Sequence, residues 1–157
     1  AFNGCSSLKS IVLPDSVTNI GINNTFFNCS GLTNIVIPDS IDSINQSMFN
    51  GCSSLPAVAL PASLTYIGSY AFYNCSALTN IIIPESVTAI IDSAFENCST
   101  LSSVTVQPTS PPALGSSVFA NNAAGRAIYV PDASYGAYTN DTAWGAYVSD
   151  IDYLSNK

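Results

Sequence analysis

Ile81-Ile82-Ile83-Pro84-Glu85-Ser86-Val87-Thr88, followed by Ala94-Phe95-Glu96-Asn97-Cys98, combines a short apolar run, a proline stop and a second apolar segment within 18 residues. Ile81 to Ile83 is a short β-branched run, suited to a strand of a few residues with Ile81 and Ile83 on one face and Ile82 on the other. Pro84 lacks a backbone donor and ends pairing. Glu85-Ser86 turns the chain, and Val87 to Ile90 makes a second short extended piece. The Ala94–Cys98 stretch is expected to form a helical or 3-10 turn before the next strand.

The same pattern recurs in both directions. Cysteines stand at Cys5, Cys29, Cys52, Cys75 and Cys98, with spacings of 24, 23, 23 and 23. A leucine follows each: Leu8, Leu32, Leu55, Leu78 and Leu101. Three residues on come Ile11, Ile35, Val58, Ile81 and Val104, and two further Leu13, Ile37, Leu60, Ile83 and Val106. Prolines at 14, 38, 61 and 84 close the strands, and Phe2, Phe26, Phe49, Phe72, Phe95 and Phe119 form an aromatic column. A sixth unit is degraded: Asn122 replaces the cysteine and Gly125 the leucine, while Ile128, Val130 and Pro131 keep register. A unit of about 23 residues with short strands and turns is a solenoid coil. One such coil buries too little apolar surface to offset the ordering of its backbone, so the coils must stack and fold collectively.

The pattern Leu-x-x-Ile-x-Leu/Ile-Pro-x-Ser-Val-Thr-x-Ile-Gly-x-x-Ala-Phe-x-Asn-Cys resembles the BspA-like, Treponema-type leucine-rich repeat. The resemblance covers residues 1 to about 131. It implies a leucine-rich-repeat solenoid of the α/β horseshoe class, β-rich, with about six coils of ~23 residues, a parallel sheet and short helical or 3-10 turns. Residues 132–157, with Tyr135, Tyr138, Trp144 and Tyr147, are similar to the C-terminal cap of such arrays. The family implies secreted or surface-exposed bacterial proteins that mediate adhesion.

The ends follow from the same frame. Trp144, Tyr147, Val148 and Ile151 fall at i, i+3, i+4 and i+7, the spacing of one face of a short helix covering the last coil. Ala1-Phe2-Asn3-Gly4-Cys5 lies mid-unit, so the array, 1–131, is expected to begin as a fragment with an incomplete first coil. Its open strand edge and apolar end offer a route to self-association.

Composition narrows the functional classes. Ten acidic residues against three basic give a net charge of −7, and Lys9, Arg126 and Lys157 cannot form the basic stripe that nucleic acid requires. No run approaches the ~20 apolar residues of a membrane helix, so direct insertion is not expected. The chain has no histidine, which removes Ser-His-Asp and Cys-His machinery and the usual zinc ligands. No catalytic residue, cofactor or metal is expected. The cysteine column reads as small, buried, reduced thiols. The Asn-x-Ser/Thr sequons at Asn23, Asn28, Asn45, Asn74, Asn97 and Asn140 read as turn-forming asparagines. Asp15, Asp39, Glu85 and Asp132 share the position after proline, interrupted by Ala62. Turn chemistry accounts for them more simply than a calcium edge.

Departures from a repeat's own columns mark where a ligand would sit. Lys9, Thr33, Pro56, Thr79, Ser102 and Arg126 form one outward strand column. Another is Val12, Val36, Ala59, Ile82, Thr105 and Tyr129, which is largely apolar. It is either an exposed contact strip, with Val36, Ile82 and Tyr129 as its candidate binding residues, or a row packed beneath another layer. Tyr66, Tyr70 and Tyr73 replace mainly polar or small residues of neighbouring units and form a second candidate patch, since exposed aromatics stack on sugars or anchor protein partners. The leading expectation is a non-catalytic cell-surface or secreted module that adheres to a host extracellular protein or glycan. The alternatives are a structural spacer presenting another domain and an accessory domain of a secreted enzyme.

Overall fold

The computed structural model describes residues 1–157, which wind into a solenoid with two files of parallel strands. The front file contains β1 (Ser10–Val12), β2 (Asn34–Val36), β5 (Asn80–Ile83), β7 (Ser103–Val106) and β9 (Ala127–Val130). The second file contains β3 (Ser43–Ile44), β4 (Tyr66–Ile67), β6 (Ala89–Ile90) and β8 (Ala113–Leu114). Each strand pairs in parallel with its counterpart one coil away, as Ile81 with Val104 and Ile67 with Ile90. The coils are numbered from their cysteines, so coil 3 spans 52–74 and coil 4 spans 75–97. Ile35, Ile81, Val104 and Ile128 point inward from the front, and Ile44, Ile67 and Ile90 from the second file.

The expected helical or 3-10 turns take the form of isolated single turns, closed by bonds three residues apart such as Cys52 N to Phe49 O. They are interleaved with bonds to the next coil, such as Phe49 N to Ala71 O, and no continuous helix forms within the repeats. The reason lies in two left-handed residues per coil, which a right-handed helix cannot include. One column is Asn24, Ser47, Tyr70, Ser93 and Ser117; the other is Gly4, Asn28, Gly51, Asn74, Asn97 and Asn121. The second is confined to Gly and Asn, the residues that tolerate positive φ most cheaply.

Two ladders run through these turns. The phenylalanine rings stack at centroid separations of 5.3, 5.4, 5.2, 5.1 and 5.7 Å from Phe2 to Phe119. Beside them, Cys29, Cys52, Cys75 and Cys98 donate their S–H to the carbonyls of Phe2, Phe26, Phe49 and Phe72 at 3.0–3.2 Å. Asn122 Nδ2 makes the equivalent bond to Phe95 O at 2.8 Å, so the sixth unit keeps the contact with a different donor. All five thiols are free, four of them buried and Cys5 exposed. Polar residues also tie coil to coil: Ser86 Oγ donates to Ala62 O and Leu64 O, and Thr88 Oγ1 to Thr65 O.

Coil 3 interrupts the front file, dividing it into β1–β2 and a separate sheet built on β5, β7 and β9. Elsewhere the residue after the leucine bonds the preceding coil. Thr33 N donates to Lys9 O, Thr79 N to Pro56 O and Ser102 N to Thr79 O. Pro56 has no N–H, so the Thr33 carbonyl is left without this partner and the strands do not zip together. Replacing Pro56 by Thr restores one backbone and one hydroxyl bond, each contributing about 0.5–1.5 kcal/mol. Against this stands about 0.4–1 kcal/mol from the lost rigidity of proline in the unfolded chain. A net gain near ~1 kcal/mol is expected, read as a higher urea midpoint at unchanged m-value.

The cap differs from the single helix suggested by the spacing. Residues Asp132–Ser134 form a 3-10 turn leading into α1 (Tyr135–Asn140), and a second 3-10 turn covers Trp144–Tyr147. The chain then extends as β10 (Ile151–Tyr153), which pairs in parallel with β9 and continues the front sheet. Trp144 is fully buried, whereas Val148 is 50% exposed and Ile151 enters the core from a strand. Tyr138 OH donates to Pro108 O and Trp144 Nε1 to Pro112 O, so both buried rings place their polar ends on coil 5. Arg126 was expected to face outward; it is buried and forms an ion pair with Asp150.

Candidate functional site

The front face presents the apolar column directly. Val12 is 66% exposed, and Val36 and Ile82 are each 47% exposed, while their neighbours Ile35 and Ile81 are buried. The two alternatives for this column are therefore divided along the solenoid. Over coils 1–4 the row is open; at Thr105 it is buried and at Tyr129 half-buried. The cover there comes from the chain's own end. Lys157 Nζ donates to Thr105 Oγ1 at 2.6 Å and lies 5.9 Å from the Tyr129 ring, held by the Leu154–Asn156 3-10 turn. Ser155 N anchors that turn to Asp132 Oδ1, and the hydrogen bond from Ser155 lowers the Asp132 pKa.

Tyr66, Tyr70 and Tyr73 do not join this strip. Tyr66 lies on β4 in the second file, opposite Ser43 and Ala89 of the adjoining coils. Tyr70 and Tyr73 lie in the following turns and meet edge to face at 5.6 Å. The candidate residues thus occupy two separate regions of the surface. Tyr70 has φ +57°, where the equivalent residues are Asn or Ser. An aromatic residue there costs the fold about 1–2 kcal/mol.

The buried thiols are chemically quiet. Burial pushes the Cys52 and Cys98 thiols up to about 12, with the Cys29 thiol adding to the shift at Cys52, and burial raises Cys75 well above its usual range. Folded thiols therefore stay protonated, whereas unfolded ones ionise near pH 9. Their contribution to stability is fully present below pH 9 and is lost as pH rises from 9 toward 12. Each such thiol then removes about 1.4 kcal/mol per pH unit. A fall of roughly 3–4 kcal/mol between pH 8 and pH 10 is expected in urea unfolding, and alanine at Cys52, Cys75 and Cys98 flattens it. No three His, Cys, Asp or Glu side chains form a group able to hold a metal. No helix is long and apolar enough to cross a membrane.

A two-file parallel solenoid with phenylalanine and cysteine ladders, a capped C-terminal end and an open front strip defines a leucine-rich-repeat protein. A sequence profile for the BspA type leucine rich repeat region matches six copies over residues 1–126, and the chain belongs to this family. It is similar to a leucine-rich repeat protein from Bacteroides ovatus, at 28% identity over 85% of this chain and 46% of that one, with a TM-score of 0.61. It is also similar to the T. pallidum leucine rich repeat protein, at 30% identity over 81% of this chain and 59% of that one, TM-score 0.69. A third similar structure is a leucine rich cell surface protein from Faecalibacterium prausnitzii, at 39% identity over 68% and 28% of the two chains, TM-score 0.64. The chain therefore spans less than two thirds of each of these proteins. No curated protein matches it.

Proposed function

We propose that this chain is a non-catalytic binding module, displayed at a cell surface or secreted, that adheres to a host extracellular protein or glycan. The observation that carries this reading is the front strip of Val12, Val36 and Ile82, whose branched side chains stand exposed in a row while the same row is covered near the cap. Aligned exposed aliphatics lose unfavourable hydration when a partner covers them. Membership of the BspA type repeat family, and the cell-surface description of the Faecalibacterium prausnitzii relative, support placement outside the cell. The Tyr70–Tyr73 pair offers a second contact region suited to stacking on sugar rings.

The test is a binding screen of the chain against extracellular-matrix proteins and a glycan array, beside a Val36→Asp/Ile82→Asp variant. Both sites are exposed, so that variant should fold as the parent does. Saturable binding that the variant loses is the expected result. Binding lost only in a Tyr70→Ala/Tyr73→Ala variant would move recognition to the turns. An absence of binding across the panel would favour the spacer reading, in which the stacked coils serve for length alone.

A further inference from the structure

The front face of coil 3 departs from the repeat at four positions. Pro56 stands where coils 2 and 4 have Thr33 and Thr79, and Ala57 where they have Asn34 and Asn80. Ala59 replaces Val36 and Ile82, and Ala62 replaces Asp39 and Glu85. None of the backbone amides or carbonyls of Ala57, Val58, Ala59 or Leu60 takes part in a hydrogen bond within the chain. Small side chains and an unzipped strand leave a cleft of ≈ 380 Å³ whose walls include Ala57, Ala59, Leu60, Ile82 and Pro84. A second hollow of ≈ 470 Å³ adjoins it, sharing Ala62, Pro84 and Gln107 and bordered by Glu85 and Ser86. Together they form a trough with an apolar wall, free main-chain groups and a carboxylate at one end.

We infer that this trough receives an extended segment of a partner protein, with a small or branched apolar side chain against Ala59 and Ile82 and a lysine or arginine beside Glu85. The inference rests on the binding-module reading and assigns it a site and a ligand chemistry. An extended peptide sets alternate side chains on opposite sides, so one apolar side chain can enter the trough against Ala59 and Ile82 while its neighbours face away. A cationic residue matches the local charge, since Asp39 and Glu85 stand one coil to either side of Ala62, and the chain as a whole carries −7. Two of its three cations are already engaged, Arg126 with Asp150 and Lys157 with Thr105. A sugar fits the trough poorly, because no aromatic ring borders either hollow. The exposed tyrosines of coil 3 lie in the second file and the turns.

The test uses the whole chain and a library of labelled hexapeptides. Three variants accompany it: Pro56→Thr/Ala59→Ile, which rebuilds the strand pattern of coil 4; Glu85→Lys; and Ser10→Asp, exposed on β1 of the same face and outside both the trough and the apolar strip. Retained peptides should be enriched in Lys or Arg next to an apolar residue, and exchanging the cation for Glu should weaken them about tenfold or more. Pro56→Thr/Ala59→Ile and Glu85→Lys should each reduce binding by a similar factor, and Ser10→Asp should leave it unchanged. Far-UV circular dichroism and the fluorescence of Trp144 show whether each variant is folded. Pro56→Thr/Ala59→Ile is the stringent case, because it strengthens the coil contact and cannot lose binding through unfolding. Equal binding by that variant, or peptides retained without regard to charge, would overturn the inference. So would equal loss in Ser10→Asp, which would spread recognition along the whole front file. If no hexapeptide is enriched while a matrix protein or glycan still binds, the trough assignment falls and the binding-module reading stands.

Discussion

Phe72→Ala is expected to destabilise the protein by about 3–5 kcal/mol, the range for emptying a fully buried phenylalanine site, against a total of roughly 5–15 kcal/mol for a domain. Phe72 is completely buried and stacks on Phe49 at 5.2 Å and on Phe95 at 5.1 Å. The substitution therefore removes two ring contacts, each contributing about 0.5–1.5 kcal/mol beyond burial. A solenoid is held by nearest-neighbour interfaces, so a void in coil 3 also weakens the coupling between its two ends. Trp144 is the only tryptophan and lies in the cap, so its fluorescence reports the C-terminal end while circular dichroism reports the whole array. The two urea transitions should separate in the variant, with the fluorescence transition at higher urea. Phe2→Ala should cost far less, because Phe2 is half-buried and has one stacking neighbour. Coincident transitions and a small loss for Phe72→Ala would show that the ring ladder does not couple the coils.

Arg126→Met is expected to cost about 2–4 kcal/mol and to loosen the cap before the array. Phe119 is the last ring of the ladder, and its carbonyl has no following cysteine to bond it. Arg126 takes that role, with Nη1 donating to Phe119 O at 2.6 Å and to Asn122 Oδ1 at 3.1 Å. Its guanidinium also pairs with Asp150 and sits over the rings of Phe119 and Tyr147 at 5.4 and 5.3 Å. One side chain thus ends both ladders and ties the cap to the stack. The Asp150 side chain is 30% exposed and rehydrates when the pair is broken, which keeps the cost below that of a fully buried pair. Lysine should rescue little, since an ammonium group cannot span a carbonyl, an amide and a carboxylate as a planar fork does. Here the order of the probes should reverse, with Trp144 fluorescence changing at lower urea than circular dichroism.

The candidate binding surface was legible only in part. Period two assigns Val36, Ile82 and Tyr129 to one outward row, and the structure places them in that row. The sequence pattern does not show that the row is open at Val36 and Ile82 and covered around Tyr129. The cover is a contact between Lys157 and Thr105, 52 residues apart, and neither end of it repeats. Nor does grouping Tyr66, Tyr70 and Tyr73 by coil reveal that only Tyr70 and Tyr73 touch. Pro56 did carry a readable signal, a missing donor in a column of donors, although as one outward residue among several it does not announce an open sheet.

The number of coils, their register, the inward columns and the ladders of phenylalanine and cysteine can all be read from the order of residues. Each of these is an interaction between a residue and its equivalent one coil away, so it is written again in every unit and the repeats act as their own alignment. Asn122 belongs to the same class, because it keeps the bond to the Phe95 carbonyl that the cysteine column makes elsewhere. The burial of Arg126, the β10 strand in place of a helical face, the shielding of Thr105 and the opening of coil 3 emerge only in the folded chain. These features depend on contacts made once, between the array and its cap or at a single broken coil, and a contact made once leaves no period in the sequence.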